Sequence, residues 1–169
     1  MKRVNSIILL LTIICSTTGF SMGLEELVMA RKQPVTAMQE MANSATYNKV
    51  VLEVAKTLAA EAGGEGAVGM NAVAHVMDNR KTQWKKDIME VISAKNQFYG
   101  YTAKNRDKIF EQEKDVALPL AEAVVNGTLG KDTTGGALYF RQPKEPIYKW
   151  HGQETTRIGG HIFHKERKK

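Results

Sequence analysis

Ala60-Glu61-Ala62-Gly63-Gly64-Glu65-Gly66 puts a carboxylate on the last turn of an amphipathic helix, on the side that should meet a core. On a helical wheel of about 100° per residue, Tyr47, Val50, Val51, Val54, Ala55, Leu58 and Ala62 fall in one arc, and Glu61 lies inside it. Lys49, Glu53 and Lys56 collect opposite. A charge among core positions loses more to desolvation than a surface ion pair returns, so such a group is paired or has its pKa raised. A carboxyl with a raised pKa facing a cleft is what a general acid needs near neutral pH. The competing reading is a helix that frays at Gly63-Gly64 and leaves Glu61 in water.

Outward from this point, a second helix is expected over Ala67 to Arg80, with Met70, Val73, Ala74, Val76 and Met77 on one face. Asn71, His75, Asp78 and Asn79 take its other face, so His75 is expected to be exposed. A short third helix is expected within Trp84 to Ser93, then a polar and aromatic loop, Lys95-Asn96-Gln97-Phe98-Tyr99-Gly100-Tyr101. Another helix fills much of Asp107 to Val125 and stops at Asn126-Gly127. Pro119 should sit in its first turn or at a break. Asp132-Thr133-Thr134-Gly135-Gly136 is a turn, Ala137 to Arg141 reads as a strand, and Thr156 to His164 as a second one. Helices first and strands later predict a mainly helical α+β domain with a small antiparallel sheet in the C-terminal third.

The 169 residues and a hydrophobic share of 43% suit one domain with one core. Residues 1–21 read as a signal peptide: Lys2 and Arg3, an apolar Ile7–Cys15 run, then Gly19 and Ser21 at cleavage positions. That run is short for a membrane span, so export to the periplasm, cell wall or outside is expected, with no stable span after processing. Cys15 is the only cysteine; the mature chain then has no thiol for disulfides, metal ligation or nucleophilic attack. Residues 22–45 form a lead-in or tether, in which Pro34 argues against one continuous helix, and residues 46–169 form the functional domain. Of the net charge of +6, Lys2 and Arg3 carry two. The positive remainder suits anionic envelope polymers, and no nucleic-acid motif is present.

No zinc motif is present: His161 and His164 are three apart in an expected strand and so point to opposite faces. Glu61 and Glu65 share a helical face only if the helix passes Gly63-Gly64. The mature chain's serines lack the context of a nucleophile. A lone carboxyl acid is the chemistry the residues support, with no metal and no cofactor.

Ala60–Gly66 followed by Gly69-Met70-Asn71-Ala72-Val73-Ala74-His75-Val76-Met77-Asp78-Asn79-Arg80 resembles the opening of the SleB-type cell wall hydrolases, the spore-cortex-lytic enzymes and their relatives. Gln97-Phe98, the Asp132-x-Thr134-Gly135-Gly136-Ala137 turn with Tyr139-Phe140, and Trp150 with Arg157-Ile158-Gly159-Gly160-His161-Ile162-Phe163 continue the resemblance in order. Together the motifs cover roughly residues 50 to 164. The resemblance implies a lysozyme-like fold acting on peptidoglycan glycan strands at the MurNAc-GlcNAc bond, generally as a lytic transglycosylase. It carries the essential acid over to Glu61, the second glutamate to Glu65, and further positions to Gln97, Phe98 and His161.

The chain departs from that pattern where Gly63 or Gly64 replaces a frequent arginine, so a cation near Glu61 must come from elsewhere. Tyr139 and Phe98 either stack on sugars or fill the core; Gln97 either binds an N-acetyl group or decorates a loop. His161 faces the cleft or is a buried, satisfied histidine. Thr134 orients Glu61 or stabilises its own turn. Glu65 is expected to be a solvated loop residue rather than a second carboxylate, and Trp150 a core residue. A hydrolytic muramidase using Glu65 or Asp132 as base, and a non-catalytic envelope-binding protein, are the alternative functions. A monomer is expected, and a bacterial enzyme and a phage lysin fit equally.

Overall fold

Val51, Val54, Ala55, Leu58 and Ala62 recur at three- and four-residue steps, and in the computed structural model every one of them is buried. The structure describes residues 24–167, with side chains from residue 38 onward except Trp150. The expected signal segment and the packing of Trp150 therefore lie outside what is described.

Helix α1 spans Leu24–Ala62. It passes through Pro34, where an interruption was expected. Proline removes one amide donor, and the Ala, Met, Gln and Glu residues that follow favour helix strongly enough to carry the chain on. The chain divides into two units after Met41, and the unit from Ala42 onward holds the sheet and the site. A 3-10 turn, Gly63–Glu65, separates α1 from α2 (Gly66–Trp84). Helix α3 (Ile88–Ser93) starts with a capping box in which Asp87 and Glu90 each accept the other's backbone N–H. Helix α4 (Arg106–Asn126) ends on Gly127 at φ 66°, as the Asn-Gly stop signal requires. Pro119 lies inside α4 rather than at its start or at a break. Pro119 and Asp115 are both exposed, so the carbonyl freed by the missing amide turns to water.

The sheet has the order β1-β3-β2, with β1 Tyr139–Arg141, β2 Gln153–Ile158 and β3 His161–Lys165, all antiparallel. The single strand expected over Thr156 to His164 is instead a hairpin. Gly159 adopts φ 56°, and Ile158 pairs with His161 across a two-residue turn. A run of β-formers reads as one strand unless its Gly-Gly pair is taken as the turn. The mainly helical α+β class with a small C-terminal antiparallel sheet holds. Among the described residues no helix is long and apolar enough to cross a membrane.

Two apolar cores meet on α2. Met70, Val73, Ala74 and Met77 pack with α1, α3 and α4, whereas Ala72 and Val76 pack with Ala137 and Phe163 of the sheet side. Phe140 touches both cores. The expected polar face of α2 is thus covered, and His75 is only 3% exposed, its Nδ1 3.9 Å from Asp132 Oδ1. The reason is that the sheet folds back over that face, which the helix's own periodicity does not record.

Asp132 ties the end of α2 to the start of β1. Its oxygens accept from Thr134 N–H, Thr134 Oγ1 and Gly136 N–H at 2.7 Å each, and from Asn79 Nδ2 at 3.2 Å. Thr134 is fully buried in this turn, where its hydrogen bonds run to Asp132, Asn79 and Ala137. Burial works to raise the Asp132 pKa, but these hydrogen bonds outweigh it and hold the carboxyl below its ordinary value. Its stabilisation is therefore present above the unfolded value of about 3.9 and is lost as pH falls through the lower folded value. Asp132→Ala should cost about 2–3 kcal/mol at pH 7 in urea unfolding. The gap to the parent should narrow in acid; a gap that stays constant to pH 2 would contradict the assignment.

Candidate active site

Gly63 and Gly64 stop α1 one residue after Glu61, so the Glu61 side chain leaves the helix at its C-terminal end. The aromatic loop closes over that end through Gly100. A Cβ at Gly100 would stand 2.8 Å from the Thr57 carbonyl oxygen and 3.0 Å from both Ala60 Cβ and Glu61 N. Only glycine allows this approach. It brings the Gly100 N–H to 2.6 Å from Glu61 Oε1.

Burial raises the Glu61 pKa, opposed by the Gly100 N–H and the charge of Arg80 and reinforced by Glu145; burial wins. The negative end of the α1 dipole acts in the same direction as burial. Glu61 sits at an open cleft of about 550 Å³.

Of the residues singled out from sequence, Glu61, Gln97, Tyr139 and His161 line this cleft together. Phe98 and Thr134 are not among its lining residues. Phe98 is buried beneath the Arg80 guanidinium, 4.6 Å from ring centre to Cζ, and 6.1 Å from the Phe140 ring. Thr134 belongs to the Asp132 turn. Tyr101 packs against the helical core beside Arg106.

The cation that must come from elsewhere is Arg80. It is 3% exposed and lines the cleft, with Nε donating to the Leu138 carbonyl at 2.6 Å and Nη1 to the Gln97 carbonyl at 3.5 Å. Trp84, Phe98 and Tyr139 surround its planar group at 4.6–5.7 Å. Burial lowers its pKa to about 10, while Tyr139 and Glu61 push the other way, so it stays charged at neutral pH. The sequence carried a signal for it. Residues 73, 76, 77 and 80 share one face, so the wheel that isolates Glu61 also places Arg80 among apolar positions.

The other wall comes from the chain after β1. Arg141 Nη1 donates to the carbonyls of Gln142, Pro143 and Glu145 at 3.0, 3.4 and 3.1 Å. This holds Gln142 and Glu145 against the cleft. Tyr99, 80% exposed, stands on the aromatic-loop side. No sequence pattern singled out Glu145 or Arg141, because both act through a loop whose path is set by the sheet.

Glu65 departs from the expectation of a solvated loop residue. Its Oε1 lies 2.9 Å from His161 Nδ1, and its side chain is 19% exposed. The β2–β3 turn, unseen when residues 156–164 read as one strand, brings the two together. His164, on the opposite face of β3, packs instead against His151, ring centres 5.3 Å apart. Neither Glu65 nor Asp132 is a lining residue of the cleft.

Comparison with known proteins locates this architecture. A family model described as cell wall hydrolase matches residues 64–164. A cell wall hydrolase, CwlJ, of Halalkalibacterium halodurans is 25% identical over 128 residues, covering 73% of this chain and 90% of that protein. The catalytic domain of the germination-specific lytic transglycosylase SleB from Bacillus anthracis superposes with a TM-score of 0.53 at 30% identity, covering 68% of this chain and 93% of that one. The catalytic domain of Bacillus cereus SleB gives 0.51 at 28% identity, covering 70% and 91%. The lysozyme-like α+β expectation agrees with these neighbours.

Two outcomes test the geometry. A glutamate whose folded pKa is raised contributes stability below its unfolded value, and that contribution is lost as pH rises through the folded value. Glu61→Gln should therefore melt at or above the parent's Tm at pH 7, with the difference shrinking toward pH 4; a lower Tm at pH 7 would argue against a buried acid. Gly100→Ala must push the loop off α1, costing about 1–3 kcal/mol. A crystal structure of that variant should show the N–H to Glu61 contact lengthened.

Proposed function

The chain belongs to the cell wall hydrolase family, and from that membership we propose that it is a peptidoglycan lytic transglycosylase working through one carboxyl, Glu61. The observation that carries the proposal is a carboxyl with a raised pKa on an open cleft, backed by the Gly100 N–H and a fixed cation. Glycosidases ordinarily divide acid and base between two carboxylates. A transglycosylase needs only one, because the second nucleophile belongs to the substrate.

In the proposed cycle, protonated Glu61 donates to the oxygen bridging MurNAc and GlcNAc. The C1–O bond breaks and positive charge develops on the muramyl ring. The Glu61 carboxylate left behind is stabilised by the Gly100 N–H and the charge of Arg80. It then takes the proton from the C6 hydroxyl as that oxygen bonds to C1, closing a 1,6-anhydro ring and restoring the acid. Holding both reacting groups on one sugar replaces the capture of a water, which is worth several kcal/mol. Gln97, Tyr139 and Tyr99 line the cleft as groups to bind sugar faces and acetamido groups. We also propose that residues 1–21 direct export, which puts the enzyme in the compartment of its polymer.

Glu145 favours one second reading. It is a further carboxylate on the cleft, and a carboxylate across from the acid could activate water for simple hydrolysis. Muropeptide analysis separates the two: anhydromuramic ends support transglycosylation, and reducing ends support hydrolysis with Glu145 as base. Glu61→Gln should lower turnover of purified peptidoglycan by at least about 10²-fold with the fold intact. The rate should fall as pH rises through the raised Glu61 value, since the resting acid must be protonated. Near-parental clearing by the glutamine variant would remove Glu61 from the mechanism.

A further inference from the structure

Glu65 is an acidic residue at the start of α2, yet its side chain makes no cap to the helix. It runs instead into a cradle built from three glycines. A Cβ at Gly69 would overlap Glu65 Cβ, one at Gly159 would overlap Oε2, and one at Gly160 would stand 2.9 Å from Oε1. Two separate stretches of chain, the first turn of α2 and the β2–β3 turn, thus leave room for this carboxylate. A solvated glutamate needs no such room.

The cradle delivers Oε1 to His161. The separation from Nδ1 is 2.9 Å, a close polar contact that falls short of hydrogen-bond geometry. Among the described residues no hydrogen bond reaches Nδ1 or Glu65 Oε2, both of which are buried. Buried polar atoms are rarely left unmatched, and a small rotation of the ring or the carboxylate lets the Nδ1–H donate to Glu65. The imidazole is meanwhile fixed in plane. It lies edge-on to Phe140 at 4.9 Å and 78°, and to Phe163 at 6.2 Å and 74°. Its side chain is 6% exposed, and what exposure it has is in the cleft that holds Glu61.

We propose that Glu65 is a positioning residue that holds neutral His161 with its proton on Nδ1, so that Nε2 faces the cleft as a hydrogen-bond acceptor for a sugar hydroxyl. A carboxylate on one ring nitrogen selects the tautomer and orients the ring, so the other nitrogen accepts and does not donate. An acceptor suits a hydroxyl rather than an acetamido carbonyl. Resting on the transglycosylase reading above, the hydroxyl is the one at C6 of the muramyl ring, which must be turned toward C1 before Glu61 can deprotonate it. Glu65 touches no substrate; it acts through His161.

The tautomer is read first, on the full chain without substrate, from the ring 15N and 13C shifts of His161 at pH 7.5. The proton should sit on Nδ1, and Glu65→Gln should shift the population toward Nε2–H. Rates and products on purified peptidoglycan come second. Glu65→Gln should lower kcat about tenfold, the worth of one hydrogen bond in the transition state, with KM within about twofold. It should also raise the share of reducing ends over anhydro ends, because water gains on a badly oriented C6 hydroxyl. A wild-type proton on Nε2, or an imidazolium at pH 7.5, would overturn the proposal even if the variant failed to fold. Unchanged rate and product ratio in a folded Glu65→Gln would do so as well. A parent enzyme giving only reducing ends would instead overturn the transglycosylase reading and the C6 assignment with it, while the tautomer result would still decide the pairing.

Discussion

Helix α2 is buried on two sides at once, and the site depends on that constraint. Its Val73–Met77 side belongs to the helical core and its Ala72–Val76 side to the sheet core. A residue near its C-terminal end therefore emerges where the two cores meet. Arg80 occupies that place. Its flat group is enclosed by aromatic rings and tied to backbone carbonyls from both the 97 loop and the β1 approach. Burial lowers its pKa without neutralising it, since about 10 is still well above neutral pH. The cleft thus has a permanent positive charge on its floor, fixed by packing.

That charge sets the conditions for Glu61. Desolvation favours the protonated carboxyl, while Arg80 and the Gly100 N–H favour the carboxylate. Burial prevails, so the carboxyl keeps its proton to a higher pH than an ordinary glutamate, with the cation and the N–H limiting the rise. A deeper burial without the cation would leave an acid unable to release its proton; the cation without burial would leave an ordinary carboxylate. The two cleft walls come from loops, yet each is pinned by one unusual contact. Gly100 presses the aromatic loop onto α1, and Arg141 gathers the carbonyls of residues 142–145. Polar groups on loops held by a rigid scaffold are a common way to build a binding surface.

The parts of this arrangement legible in the sequence share one property: they are recorded in local spacing. The helical stripe around Glu61, the Asn-Gly end of α4 and the Asp-x-Thr-Gly-Gly turn all carry their signal within a few residues. Arg80 is equally recorded, as an arginine on the apolar face of α2, but its spacing does not say what that face meets. His75 shows the opposite case. Its helix presents a polar face, and only the sheet that folds over that face makes the histidine a buried partner of Asp132. The hairpin at Gly159-Gly160 was hidden by β-forming residues on both sides, and with it the meeting of Glu65 and His161.

By itself, then, the sequence determined the class of the fold, the helices around the site and the place of Glu61 on an apolar arc, since helical periods and glycine stops act over short stretches. The tertiary structure alone decided which charges share the cleft. Arg80, Glu145 and His161, the last with Glu65 behind it, reach the cleft from separate elements, and their approach depends on how sheet and helices close around α2. Electrostatic effects on a buried group follow distance in space and local dielectric, and neither quantity is written in the spacing of residues along a chain.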